Sequence, residues 1–203
     1  MEIKPFSNEL EGWLKNNSHK TVGDLADFFG EKSFAVVFML FMFIPSLPIP
    51  TGGITTFVLL PATMVVALEM IFGRHEIWIP KKARKIKLSS GLLNKGLPFM
   101  FKNIRRLEKY SRQRGASIFN TRIFRILSGL VIFILALASF IAPPFSGLDT
   151  VPSMGAVVVA LSLIIEDIYL FMVGVLLGVI GIGIIVAAAS AITEFLKYFV
   201  NFF

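Results

Sequence analysis

Cysteine is absent from the 203 residues, and histidine occurs only twice, as His19 and His75. The first absence excludes disulfides, thiolate catalysis and cysteine-held metal, and two imidazoles so far apart in sequence make a histidine metal cluster improbable. No metal or cofactor is expected. There is no GxSxG elbow, no P-loop and no DxD-like acidic pair beside a soluble domain, so no catalytic residue is assigned and the chain is not expected to be an enzyme. Charge is scarce as well, at 16 % of residues against about 25 % in soluble domains. Residues 1–32 lack the basic n-region, apolar h-region and small-residue cleavage site of a signal peptide, so the first membrane helix is expected to be its own insertion signal.

What remains is apolar. Hydrophobic residues form 55 % of the chain, and residues 33–68, 126–148, 150–165 and 168–193 carry no charge over 36, 23, 16 and 26 residues. Crossing a hydrocarbon core takes roughly 20 apolar residues. The pattern predicts an all-α, polytopic membrane helical bundle. Its segments are 33–44, about 18 Å long and too short to span alone, and 54–72, with Pro61 as a kink site. Residues 121–142 cross back, 151–165 is again short at about 22 Å, and 168–193 is long and Gly-rich. The aromatic tail Phe195, Tyr198, Phe199, Phe202 and Phe203 reads as an interfacial anchor.

Fifteen of the twenty Lys and Arg residues fall between Arg74 and Arg125, where the only acids are Glu76 and Glu108. Fifteen bases less two acids leave +13 there, beyond the +7 of the whole chain. The positive-inside rule puts this segment in the cytoplasm. Anionic lipid is its expected partner, and nucleic acid is not, because no nucleic-acid motif is present and membrane segments flank the block. Within it, Leu93, Leu97, Met100, Phe101, Ile104, Leu107 and Tyr110 alternate with Lys102, Arg105, Arg106, Lys109 and Arg112. That spacing predicts an amphipathic helix lying in the headgroup plane or plugging the bundle from below.

Two apolar stretches are broken by a Pro/Gly knot and resume alike. The first knot holds Pro45, Pro48, Pro50, Thr51, Gly52, Gly53, Thr55 and Thr56 before Val65-Val-Ala-Leu68. The second holds Pro143, Pro144, Ser146, Gly147, Asp149 and Thr150 before Val158-Val-Ala-Leu161. Pro50 aligns with Pro144, Gly53 with Gly147 and Thr56 with Thr150. This predicts two internally repeated, interrupted halves, the pattern that marks a midplane site in transporters. Four units follow: an N-terminal cytoplasmic or interfacial segment (1–32), a first membrane repeat (33–73), the basic cytoplasmic segment (74–121) and a second membrane repeat (122–203). Five crossings put the N-terminus inside, both knots outside and the halves in parallel, whereas re-entrant short segments would allow an inverted repeat.

A chain break frees backbone amides and hydroxyls, so the knots suit a small anionic or polar ligand, the plainer alternative being two tight turns. Asp149 is a candidate proton or cation ligand or, more simply, the cap of the helix starting near Val151. Glu69, Glu166 and Asp167 are expected at the membrane edge, paired with the basic segment. Gly174, Gly178 and Gly181 form a GxxxG-type face for close helix packing, within the chain or across a homodimer, with the dimer favoured.

Several parts occur together: Thr21-Val-Gly-Asp-Leu25, Gly30-Glu-Lys-Ser-Phe34, Pro45-Ser-Leu-Pro48-Ile-Pro50, Glu69-Met-Ile-Phe-Gly-Arg74, Trp78-Ile-Pro80 and Ala142-Pro-Pro-Phe-Ser-Gly147. In this order, from about Thr21 to Ala191, the chain resembles the exopolysaccharide synthesis protein ExoD family of bacterial inner-membrane proteins. The resemblance implies a multi-pass inner-membrane location and a role in making, exporting or regulating exopolysaccharide, without an established reaction. The residues by themselves suggest a small transporter-like bundle with a solute or ion site at the broken helices. The alternative is a non-transporting scaffold whose basic helix recruits polysaccharide-synthesis proteins or anionic lipid.

Overall fold

Thr21 and Asp24 form a reciprocal cap on the helix that follows them. The Thr21 N–H donates to Asp24 Oδ2 at 3.0 Å, and the Asp24 N–H donates to Thr21 Oγ1 at 3.2 Å. Helix α1 runs Val22–Phe29 and stops at Gly30, whose φ is +50. The computed structural model describes residues 8, 11–12, 21–47, 55–74, 77–78, 105, 115–143 and 146–202. Every regular element among them is helical. A 3-10 turn, Gly30–Lys32, leads into α2, Ser33–Phe43, and a π turn, Thr55–Leu59, leads into α3, Leu60–Ile71. Then come the short α4, Ala116–Phe119, and three longer helices: α5, Arg122–Ile141, α6, Thr150–Ile165, and α7, Ile168–Phe202.

Helix α2 is apolar on every face, and a helix of that kind is stable only when surrounded. It is the centre of the bundle: Val36, Phe38, Met39 and Met42 are wholly buried, with α6 and α3 packed around them. It ends at Phe43, where Ser46 N–H and Oγ donate to the Met42 and Phe43 carbonyls. Pro61 was expected to kink a crossing helix. It sits in the first turn of α3, directly after the π turn, so the helical path is irregular at that position.

Helix α5 begins at a Thr121 cap, whose Oγ1 accepts the Phe124 N–H, and lies against α3. Helix α6 packs on α2, α5 and most extensively α7. The α6–α7 pair is antiparallel, with Pro152 facing Gly181, Gly155 facing Gly178 and Val159 facing Gly174. Buried hydroxyls close on their own helices: Thr63 donates to Leu59 O, Ser128 to Phe124 O and Ser162 to Val159 O.

Helices α5 and α7 are long and apolar enough to cross a membrane, over Arg122–Ile141 and Ile168–Phe195. Unlike core helices of soluble proteins, they leave large apolar side chains outward: Ile123, Leu127, Leu130 and Ile134 on α5, and Met172, Leu176, Val179 and Ile184 on α7. That surface belongs to a membrane protein. Residues 48–54 of the first knot and the expected amphipathic helix, apart from Arg105, lie outside the described residues. Arg105 forms an ion pair with Glu11.

Candidate functional site

Helices α2, α3, α5, α6 and α7 alternate in direction, with the start of α2, the end of α3, the start of α5 and the end of α6 on one side, so the bundle has a knot end and a basic end. At the knot end Pro45 is buried directly after α2, and Thr55 opens the π turn before α3. Pro48, Pro50, Thr51, Gly52, Gly53 and Pro144 lie outside the described residues. The rest of the second knot is a turn joining α5 to α6. Pro143, Ser146 and Gly147 are exposed, and Gly147 takes φ +71. Ser146 Oγ donates to Pro143 O at 2.6 Å, and the Thr150 N–H donates to Gly147 O.

Asp149 occupies the N-cap position of α6, which starts at Thr150, but its side chain makes no capping hydrogen bond. The expectation of a carboxylate cap is corrected: Asp149 has helical backbone angles, φ −70 and ψ −18, rather than the extended ones that aim a cap side chain at the following amides. Its carbonyl is used instead, accepting from the Ser153 N–H and from Ser139 Oγ at 3.3 Å. Ser139 also meets Ser153 Oγ at 3.0 Å, a buried polar link between α5 and α6.

At the basic end, four longer helices bring their termini together. A cavity of about 120 Å³ is lined by Lys32, Phe34 and Ala35 before and within α2, Met70 of α3, Phe119, Asn120, Phe124 and Arg125 around the start of α5, and Leu163 and Glu166 at the end of α6. A second cavity of about 270 Å³ is lined by Gly73, Asn120, Arg122, Arg125 and Ile126. Asn120 and Arg125 belong to both, so the two adjoin. Phe124 forms the floor between Phe119 and Phe171, with ring centroids 4.5 and 4.9 Å away. Gly73, at φ +80, is where a left-handed turn is needed, and the Arg122 guanidinium lies 3.6 Å from where its Cβ would stand. No described knot residue lines either cavity.

The three membrane-edge acids have separate placements. Glu166 is the one non-glycine residue with positive φ among the described residues, +61, and ends α6 in a position usually given to glycine. Asp167 is buried, and its Oδ1 accepts the Tyr169 N–H at 3.0 Å, which caps α7. Glu69 Oε2 accepts the Trp78 N–H at 2.8 Å and ties down the chain beyond α3. Gly174, Gly178 and Gly181 are all buried against α6 and Leu135 of α5, so the glycine face is used within the chain.

Residues 6–187 match the family described as Exopolysaccharide synthesis, ExoD. The chain belongs to the ExoD family. Membership ties this ExoD protein to exopolysaccharide synthesis, the process in the family's description. It is 28 % identical over 170 residues to the uncharacterized protein slr1875 of Synechocystis sp. (strain ATCC 27184 / PCC 6803 / Kazusa), covering 80 % of this chain and 76 % of that one. No solved structure matches it.

Sequence reasoning missed Lys32, Asn120, Arg122 and Arg125 as a group, having assigned the two arginines to topology alone. A signal was present: Lys32 precedes one uncharged run and Arg122 and Arg125 precede or border another, and charges that precede helices running in the same direction, as α2 and α5 do, gather at one end.

Burial holds the Asp149 carboxyl of this ExoD protein above the usual carboxylate value of 3.8, against a smaller opposing effect of its own backbone N–H. The folded state then binds the proton more tightly than the unfolded one, so the group lowers stability as pH rises from 3.8 through the raised value. Asp149→Asn should therefore unfold at a higher temperature than wild type at pH 7, with the gap closing below pH 3.8. Thermal unfolding in detergent across that range checks it, and a gap constant with pH would contradict it.

Proposed function

We propose that the protein is a multi-pass inner-membrane protein that serves exopolysaccharide production from the basic end of its bundle, as a non-catalytic docking component at the cytoplasmic membrane surface. The observation that carries this reading is that the two cavities lined by described residues both open at the basic end, among Lys32, Arg122 and Arg125. The positive-inside rule turns that end to the cytoplasm, together with the basic segment 74–121. Its partners there are anionic lipid and polysaccharide-synthesis proteins. The duplicated-unit reading is supported by reciprocal packing, α2 on α6 and α3 on α5, as a pseudo-two-fold along the membrane normal would require.

A solute or ion site at the knots is the second reading. It is favoured by the half-buried Asp149 beside the Ser139–Ser153 link, and weakened by the exposed turn formed by Ser146 and Gly147.

The two readings separate in one complementation experiment. Each Lys or Arg near an anionic surface contributes about 1 kcal/mol of attraction, so neutralising Arg105, Arg106 and Lys109 together costs roughly a hundredfold in surface affinity. Cells carrying that triple variant should lose most of their secreted exopolysaccharide, measured as polymeric sugar in the medium, at unchanged protein level. Cells carrying Asp149→Asn should keep theirs. The reverse pattern would transfer the function to the knot end.

A further inference from the structure

We propose that the basic-end cleft is a binding site for the phosphate monoester headgroup of a membrane lipid, an inference that rests on the docking reading and names its ligand. The two adjoining cavities bring three cations, Lys32, Arg122 and Arg125, around the Asn120 amide, with Glu166 as the single carboxylate among the described lining residues. Three positive charges against one negative leave a surplus of two. A phosphate monoester carries about −1.5 to −2 at pH 7, while a diester carries about one negative charge, so the monoester is the better match. Arginine's planar fork meets two phosphate oxygens at once, and the asparagine amide supplies a neutral donor. Lys32 and Arg122 are exposed, and no hydrogen bond or ion pair with a described residue engages them.

The surroundings select a lipid over free phosphate. The rim is flanked by Phe72 beside Gly73 and Ile123 beside Arg122, which are 78 % and 80 % exposed, and α5 continues outward with Leu127 and Leu130. The floor is apolar too, with Phe34, Met70, Phe119, Phe124 and Leu163. A headgroup in the cleft would leave its chains along these side chains, whereas inorganic phosphate has nothing to place there.

The test measures binding of the purified full-length protein in detergent to dioctanoyl phosphatidate, dioctanoyl phosphatidylglycerol and inorganic phosphate. Phosphatidate should bind roughly tenfold more tightly than phosphatidylglycerol, and Arg122→Gln should remove about tenfold of that affinity, as expected for a lost charge-assisted fork. Lys32→Gln, on a different segment, should weaken phosphatidate binding in the same direction. Ile123→Ser should weaken phosphatidate and leave inorganic phosphate unchanged. Equal affinity for the two lipids, or affinity unmoved by both charge substitutions, would overturn the proposal. So would inorganic phosphate binding as tightly as phosphatidate, which would make this a free-phosphate site. Exopolysaccharide secretion by the same variants separates this from the docking reading. If Arg122→Gln loses the lipid and secretion persists, the site stands and the functional reading falls. If secretion is lost with phosphatidate binding intact, the functional reading stands and the lipid proposal falls.

Discussion

Replacing Gly155 by leucine should force α6 away from α7 and lower the unfolding temperature further than any substitution at the knots. A Cβ at Gly155 would stand 2.6 Å from the Gly178 nitrogen, 2.8 Å from the Gly174 carbonyl oxygen and 2.8 Å from the Gly178 Cα. All three are backbone atoms, which cannot rotate aside as a side chain can. Overpacking a core against yielding neighbours costs about 1–3 kcal/mol, so a collision with the α7 backbone should cost about 3 kcal/mol or more. Helix association in lipid depends on close packing rather than on the hydrophobic effect, so little compensates for the separation. Gly183→Leu is the control: the same helix, with no atom within 4 Å of its Cβ position, and only a small change expected. Thermal unfolding of both variants in detergent decides the matter, and comparable melting of the two would disprove the α6–α7 seam.

Leu130→Arg should strongly reduce the amount of protein recovered in alkali-washed membranes. Leu130 lies near the middle of α5, is 43 % exposed and belongs to a stretch free of charge from Ile126 to Leu148. At the centre of a membrane helix an arginine costs about 2.5–3.5 kcal/mol on insertion scales. On a watery surface the same exchange stays within about 0.5 kcal/mol. The substitution therefore separates a lipid-facing α5 from a soluble one. Undiminished membrane recovery with native stability would mean that this face meets water.

Some of this fold could be read from local residues. The cap at Thr21 and Asp24, the start of α5 at Thr121 and its end before Pro143, and the stop of α6 before Glu166-Asp167 each depend on side chains within a few positions of the boundary. Pro61 marked an irregular point from its residue type, since proline offers no ladder donor at its own nitrogen, but only the structure showed the irregularity to be a π turn directly before it. The capping role offered for Asp149 fails on backbone geometry: residue type favours a cap, while backbone angles decide whether the carboxylate can reach.

The candidate site was less legible. Gly174, Gly178 and Gly181 announced close packing but not their partners, since Gly155 and Pro152 lie on another helix and in no shared motif. Ser139 and Ser153 are ordinary helix residues until the α5–α6 turn brings them to 3.0 Å.

Composition alone determined that this chain is helical, apolar and divided by a basic block, because charge cannot be buried cheaply in hydrocarbon and uncharged runs of these lengths have few other uses. Only the tertiary structure decided that α2 is the core, that the glycine face is consumed internally, and that Lys32, Asn120, Arg122, Arg125 and Glu166 share one cleft. The physical reason is range: hydropathy and caps act over one or two helical turns, whereas the cleft is made by helix ends spread along the chain from Lys32 to Glu166, and which ends meet is settled by packing.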